Sequence, residues 1–123
     1  MEFDSLSNRV IGCALEVHRH LGPGLLESAY EECLAYELQV AGLAFSRQVD
    51  LPVTYKGLRL DCCYRMDVVV ENTLLLELKS VEALLPIHEA QLLTYMKLSG
   101  LKTGLLMNFN ERYLKDGLKR MVL

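Results

Sequence analysis

Residues 64–79 read YRMDVVVENTLLLELK, and the predicted fold is built around this segment. Two apolar segments flank the polar turn ENT at 71–73, which is the pattern of an antiparallel β-hairpin. If the hairpin is centred on Asn72, Asp67 lies directly opposite Glu77. A two-residue turn would instead shift the pairing by one residue and put Asp67 diagonal to its partner.

Three charged residues interrupt these apolar strands: Asp67, Glu77 and Lys79. A charge inside an apolar strand is costly unless it is paired or binds a metal. Glu77 and Lys79 are two residues apart, so they share one face of their strand. In the centred register the two carboxylates are cross-strand neighbours that repel unless a cation lies between them. A hard divalent ion such as Mg²⁺ prefers such oxygen ligands, with Lys79 beside it to orient a water or offset phosphate charge. The alternative is a plain salt-bridge cluster on a solvated face.

Hydrophobic periodicity predicts three helices and four further strands around this hairpin. The helices are Ser5–His20, capped by Ser5, then Leu25–Ala41 and Pro86–Ser99; the strands are Phe45–Tyr55, Leu58–Cys62, Thr103–Phe109 and a short Gly117–Val122. The strand after the third helix is expected to run parallel to strand 74–79, either beside it or one strand removed.

Composition indicates one globular domain over residues 1–123. Of these residues 51% are hydrophobic and 24% charged. The net charge of −3 argues against a protein that coats nucleic acid by bulk charge. Because residues 1–42 are strongly acidic, an anionic ligand is expected on residues 43–123.

The location predicted from the sequence is cytoplasmic. No apolar run is long enough to span a membrane, and the acidic start, Met-Glu-Phe-Asp, is unlike a targeting segment. The four cysteines lack zinc-ligand spacing. Adjacent Cys62 and Cys63 are expected on opposite faces of a strand, so free thiols in a reducing compartment fit all four.

Asp67, a hairpin and then Glu77-Leu78-Lys79 resemble the acid, hairpin and acid-x-Lys signature of the PD-(D/E)xK nuclease superfamily, with Met66 in place of the usual proline. Residues 24–30, GLLESAY, match the Gly-x-x-Glu-x-x-Tyr segment that names the GxxExxY family of small bacterial proteins, which is assigned to that superfamily. Residues 88–95 and 104–110 are also similar to that family.

The resemblance implies a restriction-endonuclease-like α/β fold: a mixed sheet flanked by helices in the order α-α-β-β-β-β-α-β. It also implies a site for Mg²⁺ or Mn²⁺ at Asp67, Glu77 and Lys79, with the Leu78 carbonyl as a further ligand and Glu27 joining from the second helix. For Glu27 an alternative to metal binding stays open: a carboxylate in the first turn of a helix is stabilised by the helix dipole without any other role.

The implied function is metal-dependent hydrolysis of nucleic acid, with DNA favoured over RNA and a homodimer left open. The alternative is a catalytically silent module that binds nucleic acid or protein.

Five further residues are candidates for contacts with substrate or water. Gln91 resembles the glutamine that follows the acid-x-Lys motif in many superfamily members, and its amide could position a water or contact a phosphate; the alternative is a surface glutamine. The others are Tyr30, Arg65, His88 and Tyr95. Packing is the favoured alternative for Tyr30, and a position at the helix start is the favoured one for His88.

Overall fold

The computed structural model describes residues 3–61 and 64–123. Cys62 and Cys63 fall outside these ranges. Their expected placement on opposite strand faces therefore lies outside the described residues. The predicted strand Leu58–Cys62 is too long, because the strand ends at Arg59.

The described chain contains three α-helices, seven β-strands and one 3-10 turn. The helices are α1 (Ser5–Leu21), α2 (Glu27–Val40) and α3 (Pro86–Ser99); the strands are β1 (Phe45–Leu51), β2 (Thr54–Tyr55), β3 (Leu58–Arg59), β4 (Tyr64–Val70), β5 (Leu74–Lys79), β6 (Thr103–Asn108) and β7 (Leu118–Val122), with the 3-10 turn Leu114–Gly117 before β7. None of the helices in this part of the chain is long and apolar enough to cross a membrane.

Five strands form one mixed sheet in the order β1-β4-β5-β6-β7, and β2 and β3 form a separate hairpin. Only β5 and β6 among the neighbours in this sheet run parallel. Helix α3 connects them, because a parallel neighbour needs a crossover. The prediction that the strand after this helix runs parallel to β5 is confirmed, and it lies directly beside it.

The hairpin between β4 and β5 has the centred register. Val70 pairs with Leu74 and Val68 with Leu76. The turn is closed by the Thr73 N–H, which donates to the Val70 carbonyl at 3.0 Å. Glu71 and Asn72 have φ of 53° and 51°, and this left-handed pair matches the right-handed twist of a tight hairpin. The pairing shifted by one residue, which the sequence left open as an alternative, is therefore excluded.

Two hydrophobic layers lie on opposite sides of the sheet. On one side α1 and α2 pack on β4, β5 and β6 through residues such as Val10, Leu34 and Leu76. On the other side α3 packs through Leu92 and Met96 on residues that include Leu75 and Leu106. The predicted arrangement, a mixed sheet with helices on both sides, is confirmed.

Three local predictions are corrected. Asp4, not Ser5, caps α1, because its carboxylate accepts the Ser7 N–H at 3.0 Å. The predicted strand Phe45–Tyr55 is split after Leu51, where Pro52 cannot donate to a ladder. Helix α2 begins at Glu27 rather than Leu25.

Candidate active site

The sheet forks between β4 and β5. Their pairing ends at Val68 and Leu76, although both strands continue beyond this point. Strand β4 stays paired with β1 as far as Tyr64, and β5 stays paired with β6 as far as Lys79. The two strands therefore separate from each other while each keeps its outer neighbour, and this opening is called the fork below.

Asp67 and Glu77 occupy the first positions after the pairing ends. Instead of a backbone ladder, side chains accept the backbone protons there. The Leu78 N–H donates to Asp67 Oδ2 at 2.9 Å, and the Asp67 N–H donates to Glu77 Oε1 at 3.4 Å. Each carboxylate thus reaches across the fork to the other strand, which brings the two acids together as the sequence predicts.

Both carboxyl groups are held in a setting that favours their protonated forms. Burial raises the pKa of Asp67; the Leu78 N–H opposes this, and the nearby Glu31 charge adds to it. Burial, followed by the charge of Asp67, raises the pKa of Glu77 to about 8. Like charges and desolvation act in the same direction, so a cation placed between the two groups would relieve both.

Lys79 is half-buried at the end of β5 and shares a strand face with Glu77. Its positive charge lowers the pKa of both Asp67 and Glu77. Among residues 3–61 and 64–123, none of the ion pairs includes any of these three residues. The salt-bridge alternative raised from the sequence is therefore not what the structure shows.

Glu27 is the exposed first residue of α2. Its negative charge raises the pKa of both Asp67 and Glu77, so it lies near enough to the fork to act on both carboxyl groups. Within the described part of the chain, however, no three His, Cys, Asp or Glu side chains are close enough together to hold a metal ion. Glu27 does not complete a three-carboxylate set in this structure, and its role as a ligand stays a prediction.

Glu31 is an acid at the fork that sequence reasoning missed. It is buried on α2, and its carboxylate accepts from Arg47 Nε at 2.9 Å and Gln48 Nε2 at 2.7 Å. In the β1–β4 register Gln48 falls opposite Asp67, with a left-handed φ of 48°. The signal was the helical spacing, which puts Glu31 on the same side of α2 as Glu27 and Tyr30.

Tyr30 has a structural role, which corrects its selection as a substrate contact, whereas His88 caps α3 and its contact with substrate stays a prediction. The Tyr30 side chain is fully buried and stacks on Phe109 at 4.6 Å. Its hydroxyl donates to the Gly22 carbonyl at 2.6 Å and accepts the Leu25 N–H at 3.1 Å. His88 Nδ1 accepts the Leu85 N–H at 3.0 Å, which caps the start of α3.

The remaining candidates lie around α3 and the outer end of β4. Gln91 Nε2 donates to the Tyr95 hydroxyl at 3.0 Å, and Tyr95 meets Tyr64 edge to face with ring centroids 6.2 Å apart. Arg65 is exposed, and its Nε lies 3.5 Å from Asp50 Oδ1. Gln91 is half-buried and lines a cavity, so it is not a plain surface glutamine.

A family model described as the PD-(D/E)XK nuclease superfamily matches residues 4–121. Neither the curated proteins nor the solved structures contain a match to the chain. The family match covers nearly the whole chain, including both acids of the fork. It does not reach the finer GxxExxY assignment, which stays a prediction from residues 24–30.

Proposed function

The chain belongs to the PD-(D/E)XK nuclease superfamily, and from this membership we propose that it hydrolyses nucleic-acid phosphodiester bonds with a divalent metal ion. The observation that carries the proposal is the carboxylate pair at the fork. Asp67 and Glu77 repel each other there, and no cation among the described residues is paired with either.

The donor set fits a hard divalent ion such as Mg²⁺ or Mn²⁺. Carboxylate and carbonyl oxygens are the ligands such ions prefer, and Asp67, Glu77 and the Leu78 carbonyl supply them. Glu27 faces the pair from α2 and suits contact through a water. When bound, the ion lowers the pKa of a coordinated water and offsets charge on the phosphate.

The other residues of the proposed site act on the water and the substrate. The Lys79 ammonium shares the face of Glu77, where it orients the attacking water and offsets negative charge that develops on the phosphate oxygens. The Gln91 amide, fixed by the Tyr95 hydroxyl, positions substrate on the α3 side. Glu31 accepts hydrogen bonds from Arg47 and Gln48 beside the fork, so we assign it the role of positioning these side chains and not of contacting substrate.

A panel of labelled single-stranded, duplex and branched DNA and RNA tests this proposal in Mg²⁺ and in Mn²⁺. We expect cleavage of at least one substrate, complete inhibition by EDTA, and loss of cleavage in Asp67→Asn. The matched control is Asp116→Asn, an exposed aspartate in the 3-10 turn before β7, which should cleave as the unmodified protein does. Equal cleavage by Asp67→Asn would contradict the assignment.

The second candidate is a catalytically silent module that binds nucleic acid or protein. It is favoured by the lack of a three-acid cluster among the residues described and by the net charge of −3. Calorimetric titration with Mn²⁺ separates the two functions. No metal binding and no cleavage of any substrate in the panel would favour the silent module.

A further inference from the structure

A cavity lies between α3 and the base of the β2–β3 hairpin. Its volume is about 330 Å³, at the small end of the range that ligand pockets span. Its lining is mostly apolar or aromatic and includes Leu60, Tyr64, Ala90 and Tyr95, with Gln91 and Thr94 as its polar side chains. This size suits one planar ring system and not a double helix.

Two tyrosines give the cavity an aromatic wall. Tyr64 is 42% exposed, whereas Tyr95 is 8% exposed and is held by the Gln91 amide. The rings are inclined at 68°, so Tyr95 contacts Tyr64 without stacking on it. Planar bases stack on such exposed aromatic faces whatever their sequence.

Polar groups and charges around the cavity also suit a nucleobase. Gln91 and Thr94 bring an amide and a hydroxyl to an otherwise apolar lining, and both can bond a base edge. None of the described lining side chains is charged. An adjacent groove shares Leu60 and Tyr64 and carries Arg59 and Arg65, together with the acids Asp50 and Asp61. The Arg65–Asp50 pair is exposed, and such pairs exchange at little cost.

The cavity is close to the fork along the chain. Tyr64 precedes Asp67 by three residues on β4, a distance of roughly 10 Å along an extended strand. Gln91 belongs both to the cavity and to the proposed active site. A strand whose phosphate lies at the fork can therefore place a neighbouring base in the cavity.

We propose that this cavity receives one unpaired nucleobase of the substrate strand, stacked on Tyr64 and bonded by Gln91 and Thr94. The inference rests on the proposed nuclease function and makes the substrate single-stranded or locally unpaired nucleic acid. A paired base is already stacked and bonded in its duplex, so entry carries the cost of extruding it.

Binding without cleavage tests the proposal. The probe is a single-stranded oligonucleotide with 2-aminopurine at one position, titrated with the full chain in EDTA. DNA and RNA versions of the probe are titrated in parallel, and the version that binds more tightly identifies the preferred sugar of the substrate. We expect quenching of the probe on binding, and at least tenfold weaker binding of the same base in a duplex.

Three variants locate the bound base. Tyr64→Ala should weaken binding roughly tenfold, since one stacked base contributes a factor of about 5 to 100, and Tyr64→Phe should retain it. Ala90→Phe fills the cavity from an exposed helix position and should abolish quenching. The matched control is Tyr36→Ala, an exposed tyrosine on α2 across the sheet, which should bind as the unmodified protein does.

The outcomes keep this inference separate from the proposed function. Unchanged binding in both Tyr64→Ala and Ala90→Phe would overturn the base site even if the protein cleaves nucleic acid. If the protein binds the probe base in EDTA but cleaves no substrate in Mg²⁺, the base site is supported and the proposed nuclease function is contradicted. A dimer that Ala90→Phe dissociates in sedimentation, with no oligonucleotide bound, would assign the cavity to a second copy of the chain and overturn the proposal.

Discussion

The Asp67 carboxylate accepts the Leu78 N–H at 2.9 Å, in the place where a regular ladder would use a backbone carbonyl. Asp67 is therefore both a member of the acid pair and the hydrogen-bond acceptor of a backbone amide on β5 that has no partner in the β4 backbone. Removing its charge and removing its oxygen are two different changes, and each has its own consequence.

Asp67→Asn should leave the metal-free protein at least as stable as the unmodified one, because the amide oxygen still accepts the Leu78 N–H while the repulsion with Glu77 is gone. Asp67→Ala should be less stable than Asp67→Asn by about 1–3 kcal/mol, the cost of a buried donor left without an acceptor. Urea unfolding in EDTA measures the difference. Equal stability of the two variants would mean that the Leu78 contact contributes nothing.

Glu77 should make the metal-free protein less stable as the pH rises. Its pKa is raised from 4.5 to about 8 in the folded state, so between these values the unfolded chain loses a proton that the folded chain keeps. The free energy of unfolding then falls by at most about 1.4 kcal/mol per pH unit and levels off above pH 8.

Unfolding of the unmodified protein and of Glu77→Gln from pH 4 to 9 in EDTA checks this. The variant should lack this component of the slope and be the more stable of the two at pH 9. Glu82→Gln, at an exposed glutamate, serves as the control and should follow the unmodified curve. If the free energy of unfolding of Glu77→Gln changed with pH in the same way as that of the unmodified protein, the raised pKa of Glu77 would be contradicted.

Lys79→Met should lower cleavage about 100-fold or more, a typical loss when a group that stabilises developing charge is removed, while metal binding survives. Lys79 lowers the pKa of both acids, so its loss should move the pH midpoint of Mn²⁺ binding upward. Cleavage rates and calorimetric titrations from pH 6 to 9 measure the two effects. Loss of metal binding at every pH would make Lys79 structural.

Glu31→Gln should destabilise the fold by about 1.5–3 kcal/mol, because a buried carboxylate that accepts from Arg47 becomes neutral. The same change removes a charge that raises the pKa of Asp67, so Mn²⁺ should bind at lower pH than before. Glu32→Gln is the matched control. Glu32 contacts the same Arg47 at 2.8 Å but its side chain is 69% exposed, and such pairs contribute at most about 1 kcal/mol.

Thermal or urea unfolding of the two variants, with Mn²⁺ titrations at pH 6 and 8, provides the measurement. If Glu32→Gln were as destabilising as Glu31→Gln, burial would not distinguish the two contacts.

Local patterns were sufficient for the hairpin and for most element types. The apolar segments on either side of the polar turn were enough to predict the hairpin, and of the two registers that the sequence left open the structure has the centred one. That register alone places Asp67 and Glu77 at facing positions. The helix ends were less certain: Asp4 replaces Ser5 as the cap, since capping depends on the geometry of a single residue.

Contacts between distant segments decided the rest of the candidate site. The sequence could not show that β4 and β5 separate after Val68, because the divergence depends on how each strand pairs with its outer neighbour. Nor could it show that Tyr30 turns its hydroxyl into the Gly22 loop.

Thus local patterns were enough to predict the hairpin that carries the two acids, the lysine two residues on and the layered α/β architecture, since strand and helix periodicity act over a few residues. Which of the α2 glutamates is buried depends instead on contacts between segments that are distant in the chain. Glu31 is enclosed because Arg47 and Gln48, some 16 residues away on another element, supply its hydrogen bonds, whereas Glu27 remains exposed. Burial of a charge depends on the partners that folding brings to it, and those partners are not encoded in its neighbours along the chain.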